Sequence, residues 1–149
     1  MSTRACVCFS NTAQMSWEVY YKHHDGYPTG LGLELAKLLK KNATKDRIIR
    51  KLSLENYRRL IRSPEEAFTK IQGDLEWIYA IAINEKDPEW SAMRIYKTSN
   101  PAMDVDFVFP VWGCYAKLLP KNLKTTMEYV EMAVGVALNM LSAYREARR

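Results

Sequence analysis

The stretch Leu75-Glu76-Trp77-Ile78-Tyr79-Ala80-Ile81-Ala82-Ile83 decides the fold. Leu75, Trp77, Tyr79, Ile81 and Ile83 fall on one side of a two-residue period, and Glu76, Ile78, Ala80 and Ala82 on the other. Aromatic and β-branched residues at that period make a strand. The pattern predicts that Trp77, Tyr79 and Ile81 alternate in burial with Glu76, Ile78 and Ala80. Asn84 to Pro88 then reads as a turn, and Trp90 to Tyr96 as the returning strand.

Working outward, Ala5 to Ser10 alternates Ala5, Val7 and Phe9 against Cys6, Cys8 and Ser10. Trp17 to Lys22 alternates again, and the polar Asn11–Ser16 stretch joins the two as a hairpin. Val105 to Val111 alternates through Phe107 and Phe109, with Pro110 confining it to a sheet edge. Helical spacing is equally plain elsewhere. Leu31, Leu35, Leu38 and Leu39 form one face, with Lys37, Lys40 and Lys41 turned away. A second helix is predicted from Ser53, with Leu54, Tyr57 and Ile61 inward. Ser63-Pro64-Glu65-Glu66 has the form of a capping box, and Gly73 would end the helix it starts. Last comes a long helix, Leu123 to Ala147. Its seam of Leu123, Met127, Val130, Val134, Ala137, Leu141 and Tyr144 is heptad-like, and Ala133, Val136 and Met140 widen it.

These elements predict an α+β fold in a single domain spanning 1–149. The expected sheet is antiparallel, of four to five strands, with helices mainly on one face and the long C-terminal helix across it. The 149 residues are 48% hydrophobic, enough for a sizeable core. No apolar run is long enough for a signal peptide or a membrane span, so no membrane partner is expected. Cys6 and Cys8 would share a strand face and Cys114 is distant, which points to reduced thiols. The apolar breadth of the last helix suggests a homodimer through residues 123–147.

Charge is segregated. Lys37, Lys40, Lys41, Lys45, Arg47, Arg50, Lys51, Arg58, Arg59 and Arg62 are opposed within 37–62 only by Asp46 and Glu55. Ten bases against two acids give that segment +8, while 12 bases and 15 acids leave −3 on the remainder. Such a segment is a candidate surface for an acidic partner or for nucleic acid. The plainer account is a solvated face.

The densest cluster of turn-forming and titratable residues is His23-His24-Asp25-Gly26-Tyr27-Pro28-Thr29-Gly30-Leu31-Gly32, which holds both histidines. Adjacent histidines on an extended strand point apart, and two ligands from His23 and Asp25 make a weak metal site. A His23–Asp25 pair could orient an imidazole, yet no nucleophile accompanies it, so no catalytic residue is assigned. Thr29-Gly30-Leu31-Gly32 opens a helix, where free amides favour an anion. Two glycines in a first turn each cost about 1 kcal/mol relative to alanine, so something approaches the backbone closely. The candidate ligand-binding set is therefore Lys22, His23, His24, Asp25, Tyr27, Thr29, Gly30 and Gly32. The structural account is that Asp25-Gly26 and Tyr27-Pro28 are ordinary turn formers.

The segments Arg4-Ala5, Tyr21 to Gly30, and Gly73 to Tyr79 resemble a group of small phage and prophage proteins. These share an aromatic-x-His-x-Asp-Gly-Tyr-Pro-x-Gly core and a Gly-Asp-x-Glu-Tyr-x-Tyr strand. The core falls on Tyr21, His23, Asp25, Gly26, Tyr27, Pro28 and Gly30, and Trp77 stands where the second motif has tyrosine. The resemblance covers roughly residues 4–83. It implies a phage setting and no particular activity. With no complete catalytic set and a segregated charge, the expectation leans away from an enzyme, toward an accessory protein in the host cytoplasm that binds a host component, a host-defence inhibitor among the options. The alternatives are a sequestering protein for a nucleotide or phosphorylated ligand, and a nucleic-acid-binding protein using 37–62. No cofactor is called for.

Overall fold

The computed structural model describes residues 3–71, 74–98 and 108–148. β1 (Ala5–Asn11) and β2 (Ser16–Lys22) form the expected hairpin, pairing Ala5 with Lys22 and Asn11 with Ser16. Its turn is closed by Asn11, whose side-chain oxygen accepts from the Gln14 amide at 3.2 Å. A π-helical turn (Pro28–Gly32) leads into α1 (Leu33–Lys40), followed by α2 (Lys45–Lys51). β3 (Glu55–Ile61) returns beside β2. Then come β4 (Trp77–Ala82), β5 (Ala92–Thr98), β6 (Val108–Tyr115) and α3 (Leu123–Ala147).

The fold is α+β, but its sheet is larger than expected and mixed. Six strands run in the order β3-β2-β1-β4-β5-β6. β1 and β4 are parallel, from Ala5↔Trp77 to Phe9↔Ile81, while the other neighbours are antiparallel. α1 and α2 join β2 to its neighbour β3 at the sheet edge. The connection from β3 to β4 is the crossover that carries the chain past β2 and β1, so that β4 enters beside β1 in the same direction. That central position also corrects the burial expected for β4. Ile78 and Ala80 are buried just as Trp77, Tyr79 and Ile81 are. A central strand covered on both faces carries a near-continuous apolar run.

The additional strand is β3, which the spacing of Leu54, Tyr57 and Ile61 had suggested was a helix. Asn56 pairs with Tyr20 and Leu60 with Glu18, so Tyr57, Arg58 and Arg59 oppose Val19 alone. Arg58 takes φ 52° at this bulge, and its amide donates to the Asn56 side chain at 2.7 Å. The irregularity bends the period-two pattern into something like a helical one. The helix lies earlier, in α2, where Thr44 caps by accepting from the Arg47 amide at 3.2 Å. The predicted capping box does not open an α-helix. Glu66 instead bonds Lys70 at 2.9 Å, and the segment makes only a π-helical turn, Ala67–Ile71. Gly73 and residues 105–107 lie outside the described residues. Pro110 does sit on an edge strand, β6.

Each face of the sheet has its own core. Val7, Phe9, Trp77, Tyr79 and Ile81 meet Leu35 and Leu39 of α1, Ile48 of α2, and Leu123, Met127, Val130 and Val134 of α3. The opposite face packs Cys6, Cys8, Val19, Tyr21, Ile78 and Ala80 with Ile61, Phe68 and Leu75. The three α-helices thus share one face. Burial pushes the Cys6 thiol up to about 12 and the Cys8 thiol well above its ordinary value. Both are free and chemically quiet in this state.

Helix α3 has the predicted bounds, capped by the Asn122 side chain, which accepts from the Thr125 amide at 3.1 Å. Only the first half of its seam is buried. Ala137 and Tyr144 are exposed and Leu141 is half-buried. Among the described residues, no helix is long and apolar enough to cross a membrane.

Candidate functional site

At the glycine-rich junction, most of the polar groups are already used within the chain. Lys22 donates to the Leu52 carbonyl at 2.9 Å. β2 ends at Lys22, so His23 and His24 do not splay as strand neighbours. Their rings meet edge to face, with centroids 4.4 Å apart. His23 Nδ1 lies 2.9 Å from the Tyr21 hydroxyl. Among the described residues no cluster of three metal-ligating side chains occurs. Asp25 adopts φ 56° and accepts from the Tyr27 hydroxyl at 3.2 Å. The Asp25 charge, together with that bond, holds the Tyr27 phenol above its ordinary value.

The helix-opening amides have partners too. Thr29 donates through its amide (3.1 Å) and its hydroxyl (2.9 Å) to one carboxylate oxygen of Glu131 on α3. The amides of Gly30 and Gly32 reach the Tyr27 carbonyl, and that of Leu31 reaches the Asp25 carbonyl. A carboxylate of the chain itself therefore sits where an anion was expected. The glycines are required by close packing. A Cβ on Gly26 would lie 2.7 Å from both the Ala5 side chain and the Thr3 carbonyl. One on Gly30 would lie 2.6 Å from the Asp25 carbonyl, and one on Gly32 3.1 Å from the Tyr79 ring. The Gly26 carbonyl accepts from the fully buried Tyr79 hydroxyl at 2.7 Å. Burial raises that phenol well above its ordinary value, and the Glu131 charge adds to the effect.

A cavity of about 270 Å³ does open at the junction, lined by Lys22, Asp25, Tyr27, Thr29, Gly30, Leu31, Glu34 and Leu52. Among the described residues Lys22 is the one cation on its wall, and Asp25 and Glu34 oppose it. His23, His24 and Gly32 are not on its wall.

The basic segment is split among α1, α2 and the edge strand β3. Lys37 pairs with Glu34 at 3.7 Å and Lys45 with Glu18 at 3.1 Å, while Lys40 donates to the Pro120 carbonyl at 3.4 Å. Lys41, Arg47, Arg50, Lys51, Arg58, Arg59 and Arg62 are exposed. None of these seven has an ion pair within 4.0 Å among the described residues. Arg47, Arg50 and Lys51 stand on α2, and Arg58 and Arg59 at the bulge of β3.

A larger cleft, of about 650 Å³, escaped the sequence reading. Its walls are Phe9, Ser10 and Thr12 at the end of β1, Ala82 to Lys86 at the end of β4, and Trp90, Ala92, Tyr115 and Lys45. No local pattern could have shown it, because its residues come from four separate parts of the chain. The single available signal was Trp90, an aromatic placed next to a turn.

No family model matches the chain, and neither the curated proteins nor the solved structures yield a match.

Proposed function

We propose that this protein acts by binding, and that an acidic surface of a host macromolecule docks on the cationic edge formed by α2 and β3. The observation that carries this reading is the set of exposed cations Arg47, Arg50, Lys51, Arg58 and Arg59, none of them in an ion pair among the described residues. Cations on an edge strand also keep further strands from adding to the sheet. That purpose does not extend to α2, where Arg47, Arg50 and Lys51 stand on a helix. Segregated charge speeds encounter with an acidic partner more than it fixes affinity. The resemblance of Tyr21–Gly30 to phage proteins supports the setting: an accessory factor directed at a host component, with a host-defence protein as the favoured class.

Nucleic acid is the second reading, because α2 begins at Lys45 on the wall of the cleft that holds Trp90 and Tyr115. Phosphates along α2 and a base against an aromatic would make a single-strand site. Self-association through α3 belongs to the same proposal. The seam residues Val130 and Val134, where a contact was expected, pack into the chain's own core. The contact proposed is therefore the exposed stripe of Tyr129, Met132, Val136 and Met140 opposite them, and sedimentation is its check.

The test is a pull-down from host lysate at two salt concentrations, with and without nuclease. It is run on the wild type and on the Arg47→Glu/Arg50→Glu/Arg58→Glu/Arg59→Glu variant. A discrete protein that survives nuclease, weakens with salt and is lost from the variant is the expected result. Nuclease-sensitive recovery transfers the reading to nucleic acid. Recovery that the charge reversal leaves unchanged overturns both.

A further inference from the structure

The sheet topology singles out the cleft beside the start of α2 as a site in its own right, whichever reading of the cationic residues holds. β1 and β4 are the sheet's parallel neighbours. After β1 the chain turns to β2 on one side, and after β4 it turns to β5 on the other. Connections that diverge from adjacent parallel strands leave a crevice at their carboxyl ends, where open sheets take ligands. The cleft of about 650 Å³ lies there, within the size range of small-molecule sites. Hairpin connections frame it in place of the usual helices.

Two of its residues are exposed aromatics. Trp90 is 41% and Tyr115 48% accessible, with ring centroids 5.6 Å apart at 75°. A single exposed aromatic needs no explanation. Here, however, the Trp90 backbone is fixed. The Asn84 amide donates to Ser91 Oγ and the Asp87 amide to Asn84 Oδ1, both at 2.9 Å. The Trp90 amide donates to the Asp87 carbonyl at 2.8 Å, and the Ala116 amide to the Ser91 carbonyl at 2.8 Å. This network ties the loop to the end of β6, so both aromatic residues are positioned before a ligand arrives. Little ordering entropy is then lost on binding.

The charges around the cleft nearly cancel. Lys45 is bonded to Glu18, Lys117 lies 5.0 Å over the Trp90 ring, and Glu85 faces the cleft beside Lys86. Asp87 and Glu89 add negative charge to the same loop. An ion would find little net attraction. What the cleft offers is aromatic surface and a mixed set of donors and acceptors from Ser10, Thr12, Glu85 and Lys86.

We propose that this cleft binds a planar heteroaromatic ring with a hydrogen-bonding edge, of the nucleobase class. Because the Trp90 and Tyr115 rings meet at 75°, the ligand ring lies flat on one of them and meets the other edge-on, and its hydrogen-bonding edge reaches Thr12, Glu85 and Lys86. The base comes either from a free nucleoside or nucleotide or from an unpaired position in a single strand.

The test follows backbone amide NMR shifts of the full chain during titration with adenosine and guanosine, their 5′-monophosphates, inorganic phosphate and a short single-stranded oligonucleotide. The expected result is saturable shifts confined to residues 10–12, 84–91 and 115. A nucleoside and its monophosphate should bind within about threefold of each other, and phosphate alone should do nothing. Trp90→Ala should weaken binding about tenfold or more, the loss that one stacked base represents. Glu85→Ala, on an exposed turn, gives a second readout by weakening the nucleoside without touching the core. Tighter binding of the oligonucleotide, with added shifts on α2, assigns the base to a single strand, and equal binding assigns it to a free ligand. Absence of shifts, a requirement for phosphate, or wild-type affinity in both variants overturns the proposal.

Discussion

The parallel pair β1–β4 has the glycine-rich junction at its amino end and the aromatic cleft at its carboxyl end, and the two ends treat their polar groups differently. At the junction the amides of Thr29, Gly30, Leu31 and Gly32 are all bonded within the chain, and the Gly26 carbonyl holds the Tyr79 hydroxyl. Glu131 reaches Thr29 across 102 residues of sequence. In the cleft, Glu85 and Lys86 line an open space and make no hydrogen bond or ion pair among the described residues. The difference teaches that most of the polar groups in a dense cluster of unusual residues can be used in holding the fold. Glycines, a positive-φ aspartate and a tyrosine hydroxyl together fasten the start of β1 to β4 and α3. Groups left open for a ligand come from segments that look ordinary one at a time.

The largest effect is expected where the junction has no space. Gly26→Val places a branched side chain 2.7 Å from Ala5 and from the Thr3 carbonyl. Backbone and strand atoms cannot swing aside, so the loss should exceed about 3 kcal/mol, at the upper end for overpacking, or abolish folding. Gly135→Ala is the matched control, because nothing lies within 4 Å of its added Cβ. That change should stabilise α3 by about 0.5–1 kcal/mol through helix propensity. Denaturant titration of the two variants measures both signs. A Gly26→Val protein as stable as the wild type would remove the structural account of the junction.

Tyr79→Phe is next, and sharpens the same point with a single atom. It leaves the buried Gly26 carbonyl without its donor, which costs about 1–3 kcal/mol. The pH dependence has a definite sign. The Tyr79 phenol is raised well above 10.0, and the Cys6 thiol from 9.0 to about 12. Both groups are neutral in the folded state while the unfolded chain begins to ionise. Their contribution is therefore fully present below pH 9 and is lost as pH rises toward 12. Stability measured from pH 8 to 11 should fall, and Tyr79→Phe should fall less steeply at the upper end. An equal slope in both proteins would mean that the Tyr79 hydroxyl is not held as its geometry implies.

How much of this was legible in the sequence depends on how far apart the interacting residues lie. The β1–β2 hairpin, the leucine face of α1 and the bounds of α3 rest on local periodicity and were readable. The parallel pairing of β1 with β4 has no local signature. Nor does the bulge at Arg58, which gave a strand the spacing of a helix. The junction stood out as unusual, but the reason for its glycines lies with Ala5, Tyr79 and the Asp25 carbonyl, and the occupant of its amides with Glu131. The cleft was not readable, since Thr12, Lys45, Lys86 and Tyr115 meet only after the sheet has formed.

The smallest effect on stability, and the one that most directly tests the contrast, belongs to the cleft. Glu85 and Lys86 are exposed on the turn after β4. The turn itself is held by Asn84, Ser91 and the backbone. Truncating either side chain removes no bond found among the described residues and leaves no cavity. Glu85→Ala and Lys86→Ala should each therefore stay within about 0.5 kcal/mol of the wild type, the range of ordinary surface changes. Thermal unfolding measures this without any knowledge of the ligand. If either variant costs more than about 1 kcal/mol, well beyond that surface range, the cleft is tied into the fold as the junction is, and the distinction between the two ends of β1–β4 disappears. If both are neutral while nucleoside binding weakens, recognition at the carboxyl end is carried by groups that folding does not require.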